Sequence, residues 1–199
     1  RGYNLENKEE IIVPEKKEQE VKVVKEMTDK EYDRLLQRTL IVFKPDAVQR
    51  GIVGEILSRF ERVGLKIVGC KMVNPDKDHY YTHYEGISQM ITRRGQEAFD
   101  LTLDFMASGP VIAMVLEGIE AVALVRKIVG PTEPKSAEMG TVRGDYSHMS
   151  FGYSNSKKIG VPNLIHASGN IEEAEREVAH WFKPTQLYEY EELVDKFMR

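Results

Sequence analysis

Cys70 is the single cysteine in the 199 residues, which excludes an intrachain disulfide and any cysteine-built metal cage and favours a reducing compartment. Long apolar runs are missing too. Val111-Ile112-Ala113-Met114-Val115-Leu116 is broken at once by Glu117 and Gly118, far short of the roughly 20 residues of a membrane span. Residues 1–20 hold Glu9-Glu10 and Glu15-Lys16-Lys17-Glu18 where a secretory signal needs an apolar stretch and cleavage pattern, so the expected location is the cytoplasm. Gly (15) and Pro (8) are too few for a collagen-like or low-complexity chain. The excess of charge is small, -4 from 28 basic and 32 acidic residues, and gives no general attraction to nucleic acid or anionic lipid. Any anion site must be built locally.

Two common phosphate-binding loops are also absent: neither G-x-x-x-x-G-K-[ST] nor G-x-G-x-x-G occurs. Metal-cage spacings fail as well. His79 and His83 stand four apart, but Tyr80 occupies the place of the glutamate base that a zinc hydrolase helix would carry.

What is present is enough for one domain of ordinary size with chain to spare, 41% of it hydrophobic. Residues 1–27 alternate charges with short apolar pairs and are expected to be a tail. Thr28-Asp29-Lys30-Glu31 forms a capping box that predicts a short helix leading into the domain. From residue 38 the pattern changes: Thr39–Phe43 is β-rich, and Val53, Ile56, Leu57, Phe60 and Val63 recur at helical steps until Gly64. Further strands are expected over 65–73 and 111–116, with helices over 79–85 and 95–107. A helical stripe from Ile119 to Val129 follows, and the stretch 131–162 shows no sustained period. The last helix is capped by Asn170, carries Glu172 and Glu173 in its first turn, and stops before Pro184.

The residues suited to chemistry are scattered. Lys44, Arg126, Thr132 and Arg143 form the mixture of fixed cations and hydroxyl that polyphosphate recognition needs, although each alone fits a solvated surface residue. His166 falls between an apolar segment and a helix start, where an incoming phosphate meets free NH groups; a hydrogen-bonded structural histidine fits the position as well. Glu177 lies eleven residues on and could orient the imidazole, or be a solvated helix glutamate.

Arg38-Thr39-Leu40-Ile41-Val42-Phe43-Lys44-Pro45-Asp46-Ala47-Val48-Gln49-Arg50-Gly51 closely resembles the opening of nucleoside diphosphate kinases. Asn163-Leu164-Ile165-His166-Ala167-Ser168 resembles their active-site signature, and Ser108-Gly109-Pro110, Gly130-Pro131-Thr132 and Gly140–Tyr146 match in order between them. The resemblance covers about residues 38 to 190. It implies a ferredoxin-like α/β (α+β) sandwich, a four-stranded antiparallel sheet covered by helices, and ping-pong phosphoryl transfer through a phosphohistidine at His166. Mg2+ is implied through the nucleotide phosphates, with no metal held by the protein itself. Position by position it assigns Lys44, Arg126, Thr132 and Arg143 to phosphate binding and transition-state charge, and Tyr84 to the neighbourhood of the nucleophile. Asn163 falls to the sugar and phosphate, Ser168 and Glu177 to the support of the histidine, and Phe99 to the ring that stacks on the base. It further implies a homo-oligomer, first a hexamer, with no membrane or nucleic-acid partner.

Three features depart from the family pattern: Gly169 replaces the usual Asp, residues 147–162 are longer than in many relatives and resemble archaeal members, and residues 1–37 form an N-terminal extension to a kinase domain of residues 38–199. Two other functions compete. One is a catalytically weak nucleotide-binding regulatory protein on the same scaffold, which a lost histidine would favour. The other is a ferredoxin-like RNA-binding module, which needs exposed aromatics on a basic sheet face.

Overall fold

Strand β1 (Leu36–Phe43) alternates its side chains between two apolar layers, and that alternation organises the molecule. Leu40 and Val42 enter one core while Ile41 and Phe43 enter the other. The computed structural model describes residues 35–192; the tail and the capping box expected at Thr28–Glu31 lie outside them.

After β1 come α1 (Pro45–Gln49), α2 (Val53–Arg62), β2 (Lys66–Val73), α3 (Lys77–Tyr81), α4 (Met90–Arg94), α5 (Gln96–Met106) and β3 (Val111–Ile119). There follow α6 (Ala121–Val129), α7 (Val142–Tyr146), α8 (Phe151–Lys157), β4 (Ile165–Ala167) and α9 (Ile171–Trp181). The sheet order is β2-β3-β1-β4 and every pairing is antiparallel, the expected ferredoxin-like arrangement. Helices α2 and α6 cover one face through Ile56, Phe60, Ala121, Val125 and Val129. Residues from α3, α5 and α9, including Tyr80, Met106 and Trp181, cover the other.

β1 begins earlier than its hydrophobic run suggests. Gln37 and Arg38 continue the ladder opposite Gly118 and Glu117, and Arg38 Nε donates to Glu117 Oε2 at 2.8 Å. β3 likewise runs on to Ile119, and Glu120, at φ 47°, turns the chain into α6. In β2 the register shifts between Ile67 and Gly69, where a Cβ would come within 2.9 Å of Leu187 Cδ2. The chain after α9 packs there, and the Tyr188 N–H donates to the Val68 carbonyl at 2.8 Å.

Two segments are more ordered than their patterns predict. The helix at 77–81 continues as a wider π turn over Thr82–Ile87, which buries the adjacent side chains His83 and Tyr84 together. The stretch 131–162 holds α7, α8 and a 3₁₀ turn at Pro134–Ser136. Its helices are too short to show a period; Thr141 and Ser150 cap them by accepting from the Gly144 and Tyr153 N–H groups. Arg59 of α2 ties α7 down through Asp145 at 2.6 Å.

Candidate active site

Register places the chemistry. His166 pairs with Val42 across β4 and β1, two residues before Lys44 leaves the end of β1. A slip of one residue would turn His166 to the opposite face. The approach is held tightly: the Lys44 N–H donates to the Leu164 carbonyl at 2.9 Å and the Leu164 N–H to Asp46 Oδ2 at 3.0 Å. Those bonds hold Leu164 at φ 73°, a conformation that costs a branched residue energy and persists only where neighbours enforce it.

Glu177, on α9, is completely buried and lies 3.0 Å from His166 Nε2 through each carboxylate oxygen. The Ser168 hydroxyl donates to the same carboxylate at 2.6 Å. Burial alone would raise this carboxyl, but the imidazole of His166, then His83 and Ser168, outweigh it and hold it at about 2. An ionised carboxylate only accepts, so the hydrogen between the pair sits on His166 Nε2. The buried position settles the two alternatives for this glutamate: it is no solvated helix residue.

His83 Nδ1 lies 3.8 Å from Glu177 Oε1 but accepts from Trp181 Nε1 at 3.2 Å. Burial first, and then His166, lower the pKa of His83 well below its ordinary value, so this contact is not an ion pair. His83, His166 and Glu177 present ligand atoms within 4.8 Å of one another; the hydrogen bonds just described already occupy those of His166 and Glu177.

His166 opens onto a cleft of about 500 Å³, lined also by Lys44, Tyr84, Arg126, Thr132, Arg143 and Asn163. Lys44 Nζ donates to Asn163 Oδ1 at 2.7 Å, and Asn163 Nδ2 donates to the Thr132 carbonyl at 2.8 Å. Arg143 donates to three main-chain carbonyls, those of Asn163 (3.2 Å), Gly130 (2.8 Å) and Ile165 (2.6 Å). Gly130 stands at φ 84°, and a Cβ there would come 2.7 Å from Thr141 Oγ1. Arg126 reaches the Ala167 carbonyl at 3.5 Å. Tyr84 is buried, its ring perpendicular to His166 at 6.3 Å, and its hydroxyl has no partner among the described residues.

The charge is one-sided: Lys44, Arg93, Arg94, Arg126 and Arg143 line the cleft with Glu173 as the one carboxylate among them. Arg93 is 3.7 Å from Glu173, and the other four have no ion-pair partner among the described residues. Burial, with Arg143 and Arg94 adding to it against Asp46, brings Lys44 down to about 7. Burial and the neighbouring Arg126 and Arg94 bring Arg143 to about 10. This donor set does not cage a divalent cation, which prefers several carboxylate or carbonyl oxygens; it suits the phosphates that would carry one.

The site residues named from the sequence converge here with one exception. Phe99 is 2% exposed and packed in the core, edge-on to Tyr81, and does not line the cleft. Its place in the stripe with Met106 is a core signature. Phe105 and Val161 provide apolar wall instead. Arg93 and Arg94 went unnoticed, although two adjacent arginines before Gly95 were a signal. Gly169 directly precedes the cap of α9. A Cβ there would meet Glu173 Oε2 at 2.5 Å, while Asn170 caps α9 by accepting from the Glu173 N–H at 2.8 Å.

A histidine seated on a buried carboxylate, facing four cations with no ion-pair partner among the described residues, on a ferredoxin-like sandwich, defines a phosphotransferase. The nucleoside diphosphate kinase family model matches residues 37–187. A nucleoside diphosphate kinase of Pyrococcus horikoshii is 47% identical over 163 residues, 82% of this chain and 96% of that one, and one of Borreliella burgdorferi is 44% identical over 156 residues, 78% and 93%. Among solved structures, a transition-state mimic of the nucleoside-diphosphate kinase from Borrelia burgdorferi with bound vanadate and ADP superposes with a TM-score of 0.79 at 42% identity, covering 81% of this chain and 96% of that chain. The chain belongs to the nucleoside diphosphate kinase family.

Proposed function

We propose that the protein moves the terminal phosphate of a nucleoside triphosphate to a nucleoside diphosphate in two half-reactions through His166. The observation that carries this reading is the His166–Glu177 pair on the floor of a cleft in which Lys44, Arg94, Arg126 and Arg143 have no ion-pair partner among the described residues. The lone pair on Nδ1 attacks the terminal phosphorus, the bond to the bridging oxygen breaks, and the diphosphate leaves with that electron pair. Glu177 stabilises the charge that grows on the ring through the Nε2–H. An oxygen of the second diphosphate then takes the phosphoryl group and the histidine returns to neutrality. Lys44, Arg126, Arg143 and Thr132 hold the phosphate oxygens, and the Tyr84 hydroxyl has an unused donor beside them. Asn163 steers Lys44 and meets the sugar side; Ser168 fixes the glutamate.

Mg2+ would supply neutralisation of phosphate charge, carried on the nucleotide whose phosphates Lys44, Arg126, Thr132 and Arg143 would hold. The kinase domain spans residues 38–199 behind an extension of residues 1–37, and we infer a homo-oligomer, a hexamer, in the cytoplasm. No helix among the described residues is long and apolar enough to cross a membrane. The regulatory alternative has no observation in its favour in a cleft that keeps every catalytic group. The test is incubation with γ-labelled ATP and Mg2+ followed by GDP, beside His166→Ala. An acid-labile phosphoprotein that passes its label to GDP and is lost in the variant is expected; nucleotide binding without label would refute transfer through His166.

A further inference from the structure

Arg143 stands on α7, a helix of five residues, too short to keep its shape alone in water. Its inner side is fixed by Val142, fully buried in the core with α2 and α6, and by the three carbonyls that Arg143 grips. Its outer side is organised around Arg59, in the last turn of α2, which does not line the cleft. Arg59 pairs with Asp145 Oδ2 at 2.6 Å and donates to the Tyr146 hydroxyl at 3.0 Å and the Gly140 carbonyl at 3.1 Å. Its guanidinium carbon lies 4.7 Å from the centre of the Tyr146 ring. Glu55, one turn earlier on α2, accepts from the Tyr146 hydroxyl at 2.7 Å, and Asp145 Oδ1 accepts from the Gly140 N–H at 2.7 Å. The loop entering α7 and the turn leaving it are thus tied to one guanidinium, on either side of Arg143. Gly144 leaves no slack beneath this clamp, because a Cβ there would run into the Glu138 carbonyl.

A single half-exposed ion pair contributes little to folding. Several contacts from one rigid fork supply geometry instead: they set where α7, and with it the backbone of Arg143, stands relative to the strand that carries His166. We propose that Arg59 is a positioning residue for phosphoryl transfer, acting from outside the cleft through Arg143. The head of Arg143 is shared between main-chain carbonyls and the incoming phosphate, so a small shift of its helix misaligns that charge with the transition state. This inference rests on the phosphotransfer reading of the site.

The test measures phosphohistidine formation from γ-labelled ATP, kcat, KM for ADP and melting temperature in the full chain. The variants are Arg59→Met, Asp145→Asn, Arg143→Lys and the double variants R59M/D145N and R59M/R143K. Arg59→Met, which keeps the length and loses the fork, is expected to lower kcat about tenfold, with a smaller change in KM. Asp145→Asn, which keeps the shape of its side chain and reads the same coupling should Arg59→Met fail to fold, is expected to lower kcat about threefold and to add nothing once Arg59 is gone. In the Arg143→Lys background Arg59→Met should have no further effect on kcat, since the residue through which it acts has been replaced. A clamp that serves folding alone would lower the melting temperature and leave kcat of the folded fraction unchanged. That result, or effects of Arg59→Met and Arg143→Lys that multiply, would overturn the proposal while wild-type phosphohistidine stands. Absence of phosphohistidine in the wild type would overturn the parent reading as well.

Discussion

Binding a diphosphate at pH 8 should draw a proton out of solution. In the unliganded cleft Lys44 has been brought to about 7 by burial and by Arg143 and Arg94, so at pH 8 its amine is mostly neutral. A phosphate chain beside it reverses that balance, because an adjacent anion favours the ammonium form. The uptake is about 0.9 proton per site at pH 8, and affinity falls about tenfold for each pH unit above 7 until the bound-state pKa is reached. Titration calorimetry with ADP in HEPES and in Tris reads this directly: the apparent enthalpies differ by the uptake multiplied by the difference in buffer ionisation enthalpy. ADP is itself fully ionised at pH 8, and Lys44→Arg, which stays charged, removes the difference. Identical wild-type enthalpies in the two buffers would show that Lys44 is already charged in the empty cleft and would refute the reasoning. The same shift has a sign for folding. Between about 7 and the ordinary value of 10.5 the unfolded chain holds more protons than the folded one, so stability of the unliganded protein rises with pH through that window.

Glu177→Gln should slow phosphohistidine formation by about 10- to 100-fold, the usual cost of losing a group that orients a histidine, and NMR of the ring nitrogens should show the Nε2–H preference lost. Its carboxyl lies at about 2 when folded against 4.5 ordinarily, so the stability it supplies is complete above pH 4.5 and disappears as pH falls toward 2. Melting curves should therefore converge with those of Glu177→Gln on acidification, and parallel curves would contradict the assignment. Phe99→Ala should destabilise the fold by about 3–5 kcal/mol through an internal cavity while leaving KM of the folded fraction unchanged. A selective rise in KM without loss of melting temperature would return Phe99 to the base slot.

Much of the site was legible because its members sit at ends of elements whose patterns are strong: Lys44 after an unbroken β run, His166 before a capped amphipathic helix. The burial of Glu177 was not legible, since its position on the helix matches solvated glutamates until the partner strand is placed. Phe99 was misassigned because apolar residues at helical spacing mark the core equally well. Arg94 had only its neighbour Arg93 before Gly95 as a signal, because α4 is a single turn and too short to show a period. The order within 131–162 escaped for the same reason: short helices are specified by caps and by contacts distant in the chain, such as Arg59 with Asp145, rather than by periodicity.

Arg143 grips three carbonyls contributed by Gly130, Asn163 and Ile165. Every residue type supplies a carbonyl oxygen, so these anchors do not depend on side-chain identity. A volume-conserving substitution at the buried Ile165 that preserves the backbone path leaves the guanidinium in place. The knot therefore gives the cleft a charge whose position is inherited through chain geometry, and leaves the rim to diversify around it.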